Sequence, residues 1–84
     1  MSPLPPEEDE TLIALGQAIK ELRKEKGLTQ EELAQRADLH ESYISVIEGG
    51  QRNPTWATLR SISRGLGLSL FELIQRAEQL EREH

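Results

Sequence analysis

The sequence is punctuated as a string of short helices. Its apolar residues recur at intervals of three and four, and a glycine or a turn cuts each run before it grows long. Leu12, Leu15, Ile19 and Leu22 make the first run, from Thr11 to Lys26. Gly27 stops it behind Lys24 and Lys26, whose charge suits the negative end of a helix. Thr29 and Glu32 form an S/T-x-x-E capping box opening a second helix, with Leu33, Ala34 and Ala37 on its apolar side. Asp38 is expected at the turn after it in left-handed backbone, which Asp tolerates better than most side chains. A third helix is expected from about His40 to Glu48, with Ile44 and Ile47 inward and Gly49 and Gly50 as its stop. After the loop "QRNP", Thr55 caps a fourth helix bearing Leu59, Ile62 and Leu66, closed by Gly67. Ser69 and Glu72 form a second capping box, ahead of a fifth helix carrying Leu70, Phe71, Leu73, Ile74, Ala77 and Leu80. Segments this short are marginal alone in water, so they must bury their apolar stripes against one another. No stretch alternates as a strand does, and nothing repeats. The expected class is all-α, a compact bundle of five helices over residues 10–84. Residues 1–9, with three prolines and three acids and no periodicity, are expected to be a disordered tail.

Composition narrows the chemistry. At 84 residues the chain suffices for one small domain with a marginal core, which a dimer interface would help to stabilise. It has no cysteine and only two histidines, His40 and His84, so neither a disulfide framework nor a metal site is expected. With no His/acid cluster and no Gly-rich phosphate loop, no enzyme activity, cofactor or small-molecule ligand is expected. "MSPLPPEEDE" has no basic n-region and no apolar h-region, so it does not read as a signal peptide. No apolar run approaches the roughly 20 residues that cross a membrane. A cytoplasmic location is the expectation.

The net charge of −5 is unevenly spread. Glu7, Glu8, Asp9 and Glu10 precede the first basic residue, Lys20, whereas between Lys20 and Arg64 eight basic residues face seven acidic ones. A nucleic-acid-binding domain often announces itself by a basic patch. Here the middle of the chain is nearly neutral, so a phosphate-binding face must come from arrangement.

The stretch "TQEELAQRADLHESYISVIEGG" places two short amphipathic helices around a tight turn. Any helical hairpin does that. More telling is small Ala34, where a close crossing of the next helix needs a small side chain, with Leu33, Ile44 and Ile47 packed beneath. From Leu15 to about Leu73 the sequence resembles the Cro/C1-type (Xre) helix-turn-helix family, through Arg23, "GLTQEELA", "YISVIEGG", "NP" and "LGLSLFEL". Its short form, with an added C-terminal helix, also resembles the controller proteins of restriction–modification systems. The resemblance implies a lambda-repressor-like bundle whose third helix enters the major groove of double-stranded DNA. It further implies a homodimer on two half-sites about 34 Å apart, acting as a sequence-specific transcriptional regulator on a palindromic operator. Phosphate contacts would fix register and base-edge contacts would specify sequence.

Carried over residue by residue, the resemblance implies that Gln30 binds a phosphate and braces the third helix. Glu41, Ser42, Tyr43 and Ser45 match the outward positions of the recognition helix. Ser42 can serve either kind of base, and Tyr43 can pack on a thymine methyl or a sugar and donate to a phosphate. His40 stands at an N-cap-like position, in reach of a phosphate or simply solvated. Glu41 departs from a DNA-facing character: it either accepts from the exocyclic amine of cytosine or only offsets the positive helix terminus. Arg52 and Asn53, in the loop after that helix, are phosphate candidates, Arg52 foremost for its forked guanidinium. Arg23 and Glu48 match an internal ion pair tying the first helix to the end of the third, so both are assigned to structure. Gly65 stands where the family often has Ala, which permits a close helix contact, and Trp56 stands where smaller residues are common, as a packing or dimer-edge residue. Phe71, Ile74, Ala77 and Leu80 are expected at the dimer interface. Two other functions compete: the antitoxin of a toxin–antitoxin pair, and a protein-binding adaptor that keeps the fold without DNA.

Overall fold

The computed structural model describes residues 9–83. Among them there are five helices and no strand: α1 (Glu10–Glu25), α2 (Gln30–Ala37), α3 (Glu41–Glu48), α4 (Trp56–Gly65) and α5 (Leu70–Arg82). Each expected helix is present. The tail boundary needs correcting. Asp9 is the N-cap of α1, its carboxylate accepting from the amides of Thr11 and Leu12 at 2.9 and 3.3 Å. Asp9 thus joins the helical domain that begins at Glu10, because an acid at the helix start satisfies orphan amides and meets the positive end of the helix. The rest of the expected tail, residues 1–8, lies outside the described residues.

Both capping boxes form. Thr29 Oγ1 accepts from the Glu32 amide at 3.0 Å while the Glu32 carboxylate accepts from the Thr29 amide at 2.9 Å. Ser69 and Glu72 repeat the pattern at 3.1 Å in both directions. The returned backbone bonds, from Thr29 and Ser69 respectively, hold both carboxyls below their ordinary range. Asp38 is left-handed as expected, at φ 56°, and the Leu39 amide then reaches back to the Ala34 carbonyl at 2.9 Å. α3 ends with the same 6→1 closure: Gly50 takes φ 75° and the Gln51 amide bonds the Val46 carbonyl at 3.0 Å.

The helices pack as a closed ring: α1 on α5 and α3, α2 on α3 and α4, and α4 on α5. Ile19, Leu33, Ile44, Ile47, Ile62, Leu66 and Leu73 are fully buried where these elements meet. Ala34 is buried in this core. A charged clasp holds α5 to α1, with Arg76 Nη1 donating to Glu25 at 2.7 Å and Glu21 at 3.1 Å. The hydrogen bond from Arg76 keeps the Glu25 carboxyl below its ordinary range and raises the guanidinium.

Two helix crossings are set by glycine. A Cβ on Gly16 would be driven into the carbonyl oxygen of Ile47 and lie 2.6 Å from that of Glu48. α1 therefore approaches the last turn of α3 backbone to backbone. A Cβ on Gly65 would meet Leu33 Cδ1 at 3.1 Å and the Ala37 amide nitrogen at 3.3 Å, which is the close α4–α2 contact expected there. In a mid-helix position alanine normally gains about 1 kcal/mol over glycine. Gly16→Ala should nevertheless destabilise the fold by about 1–3 kcal/mol, since its methyl meets backbone that cannot rotate away. Urea denaturation measures this, and an unchanged or raised midpoint would contradict the backbone contact.

Candidate nucleic-acid interface

The outer face of α3 depends on what holds α3 from behind. Arg23 on α1 grips Glu48, the last residue of α3, with two bonds: Nε to Oε2 at 2.7 Å and Nη2 to Oε1 at 3.0 Å. Its remaining Nη1 donates to the Leu28 carbonyl at 2.8 Å, fixing the chain between α1 and α2. Both side chains are nearly inaccessible, at 9% and 3% exposed. Gln30, the first residue of α2, completes the set by donating Nε2 to Glu48 Oε1 at 3.0 Å. The pair implied by the family resemblance is therefore present, and so is the bracing by Gln30. No buried polar side-chain atom of the described residues lacks a partner, which is the condition under which a buried ion pair is tolerated.

With Ile44 and Ile47 buried, α3 turns Glu41, Ser42 and Ser45 to solvent. Tyr43 is half-buried, its body packed against the core. His40 is the N-cap of α3, its Nδ1 accepting from the Ser42 amide at 3.1 Å. The Ser42 hydroxyl lies 2.7 Å from that same nitrogen. Arg52 and Asn53 are exposed in the loop after α3, which buried Pro54 anchors. Among the described residues neither Arg52 nor Glu41 enters an ion pair. The sequence-expected DNA residues thus share one helix-loop segment, apart from Gln30, which reaches it through Glu48.

The expected dimer face divides. Ala77 and Leu80 are buried in the chain's own core, because α5 turns them onto α1 and its neighbours. At 9% and 8% exposed they leave little surface for a second copy. Phe71 is 71% exposed and Ile74 half-buried. Trp56, 66% exposed, is not a packing residue of the monomer. It joins Arg60, Leu70, Phe71 and Ile74 around one shallow, largely apolar groove between α4 and α5.

Two features escaped the sequence reading. Gly16 falls on the apolar stripe of α1, one residue after Leu15, and a glycine on a buried helical stripe is itself the signal of a close crossing. The His40–Ser42 coupling had no such signal, since histidine is not among the preferred N-caps. Among the described residues no group of three or more His, Cys, Asp or Glu side chains is placed to hold a metal, and no helix is long and apolar enough to cross a membrane.

Two helices around a tight turn, the second clamped from behind and open in front, define a helix-turn-helix domain. A family model described as helix-turn-helix, HTH_3, matches residues 19–73. The chain belongs to this Cro/C1-type family of DNA-binding transcriptional regulators. It is 42% identical over 65 residues to the uncharacterized HTH-type transcriptional regulator y4dJ of Sinorhizobium fredii, covering 77% of this chain and 84% of that one. It is 46% identical over 68 residues to the control protein C.MunI of a Mycoplasma species, covering 80% and 92%. Its fold matches the crystal structure of the restriction-modification controller protein C.Esp1396I with a TM-score of 0.85 at 36% identity, over 92% of this chain and 100% of that one.

Removing one partner of the buried pair leaves the other charge without compensation. Arg23→Met and Glu48→Leu alone should each cost about 3–5 kcal/mol, and the double variant should recover much of that loss. Urea denaturation of the three variants tests this. Additive losses in the double variant would mean that the two charges do not act as a pair.

Proposed function

We propose that the chain regulates transcription as a homodimer on a palindromic operator, in the cytoplasm, with α3 of each copy in a major groove. The observation that carries this reading is the clamped α3. Its outer residues are held to a rigid element, as base readout needs. Ser42, Tyr43, Ser45 and Glu41 would face bases. Arg52, Asn53, His40 and the spare amide hydrogen of Gln30 would face phosphates. Crystal structures of C.Esp1396I include variants with alanine in place of an arginine, a threonine and a tyrosine at three successive positions. This chain's only tyrosine, Tyr43, likewise follows a hydroxyl residue, Ser42, but Glu41 precedes them instead of an arginine.

The dimer would use the groove of Trp56, Leu70, Phe71 and Ile74, because two large exposed rings side by side on a small domain are costly to leave in water. A C2 contact lays this patch against itself. Occupancy of the operator would then block or recruit polymerase.

Selection of bound sequences from random DNA should recover a palindrome with half-sites about one helical turn apart. No enrichment would instead favour a protein-binding adaptor. Replacing Ser42 and Tyr43 together by Ala should abolish recognition while helicity by circular dichroism is kept, and surviving recognition would overturn this register of α3. Phe71→Glu should convert the dimer to a folded monomer in sedimentation equilibrium, and a persisting dimer would move the interface elsewhere.

A further inference from the structure

The hydrogen-bond geometry at the start of α3 fixes the polarity of its first reading residues. The Ser42 backbone amide can only donate, and it donates to His40 Nδ1 at 3.1 Å. Nδ1 is therefore the lone-pair nitrogen of the ring. The Ser42 hydroxyl oxygen lies 2.7 Å from that nitrogen. A contact between an oxygen and a lone-pair nitrogen at this distance needs the hydroxyl hydrogen between them. Ser42 Oγ thus gives its one hydrogen inward to His40 and keeps only lone pairs for an incoming base. Beside it, the exposed Glu41 carboxylate is also acceptor-only and makes no ion pair among the described residues.

We propose that the first turn of α3 is an acceptor-only reader, with His40 as the positioning residue that locks the polarity of Ser42. It takes adenine or cytosine, through the exocyclic amine, on the strand facing Glu41 and Ser42. It rejects guanine and thymine there. In the major groove only adenine N6 and cytosine N4 donate, while guanine O6 and N7 and thymine O4 accept. A keto base opposite Glu41 sets acceptor against acceptor. Opposite Ser42 it is bonded only if the hydroxyl leaves His40. The chemistry also makes the site sensitive to amine methylation. A base that stays paired keeps one amine hydrogen in the Watson–Crick bond, so the methyl of N6-methyladenine or N4-methylcytosine occupies the groove position the acceptors use.

The proposal rests on the DNA-reading function above, and the test separates the two. Sequences are selected from random DNA with the full chain and with His40→Gly, His40→Asn and Glu41→Gln. Glycine is well tolerated at an N-cap, so His40→Gly should remove the ring nitrogen without melting α3, and thermal denaturation checks this. The native chain should enrich adenine or cytosine at two adjacent positions of each half-site, by about tenfold or more over guanine and thymine. His40→Gly should relax that preference at one of the two positions and leave the other intact. His40→Asn, which supplies another acceptor, should restore it. Glu41→Gln, which adds a donor, should admit keto bases at the second position. Amine methylation at either position of the selected site should weaken binding by about tenfold or more. An enriched site with guanine or thymine at these positions, or preferences that none of the three variants alters, would overturn the acceptor-only reader and leave the regulator standing. No enriched sequence at all would overturn the DNA-reading function, and the reader with it.

Discussion

The bidentate grip of Arg23 on Glu48 is the constraint on which the rest of the arrangement hangs. One guanidinium joins α1, the α1–α2 connection and the last residue of α3, and Gln30 adds the start of α2 to the same carboxylate. Such a pair gains little net stability over apolar residues of the same shape, because desolvating both charges offsets their attraction. What it adds is position. An apolar contact tolerates sliding, whereas two parallel N–H···O bonds tolerate almost none. α3 has eight residues and could not hold a conformation alone. It is fixed at its C-terminal end by Arg23, from beneath by Ile44 and Ile47, and at its N-terminal end by His40.

The Gly16 crossing belongs to the same constraint. The same last turn of α3 that Arg23 grips also meets α1 backbone to backbone at Gly16, where a Cβ would collide with the Ile47 and Glu48 carbonyls. Packing and electrostatics here are one requirement stated twice: the glycine permits the distance and the guanidinium fixes it. Gly65 plays a milder version of the part between α4 and α2, where its neighbour is the flexible end of Leu33 as well as backbone.

Much of this was legible in the sequence because it is written in local rules. The capping boxes at Thr29–Glu32 and Ser69–Glu72, the left-handed Asp38 and the glycine after each of α1, α3 and α4 are signals within a few residues of the feature they cause. What was not legible depends on partners far along the chain or on a single rotamer. The α5 stripe shows which residues are apolar but not how deep each one goes. Ala77 and Leu80 sink into the core while Phe71, one helical face away, stays out, because α1 covers only part of α5. Asp9 looked like tail because prolines and acids surround it, yet one carboxylate placed two residues ahead of Thr11 makes it a cap. The His40–Ser42 contact needs a ring orientation that no pattern encodes.

The distribution of acid residues explains how a chain of net charge −5 can belong to a DNA-binding family. Six of the 13 acids in residues 9–83 have inward or local duties. Asp9, Glu32 and Glu72 cap helices, Glu21 and Glu25 hold Arg76, and Glu48 is buried against Arg23. Each of these is spoken for by a positive partner or a helix terminus, so it adds little negative field at the outer face of α3. Glu41 is different, exposed at the first turn of that helix. A carboxylate there repels phosphate wherever the helix lies along an unspecific duplex, and non-specific affinity is almost entirely electrostatic. Weakening that background raises the ratio of specific to non-specific binding even if specific affinity is unchanged, and it is this ratio that decides occupancy among competing sites. With α3 against DNA as proposed, the near-neutral charge of the middle of the chain would favour selectivity at the expense of raw affinity.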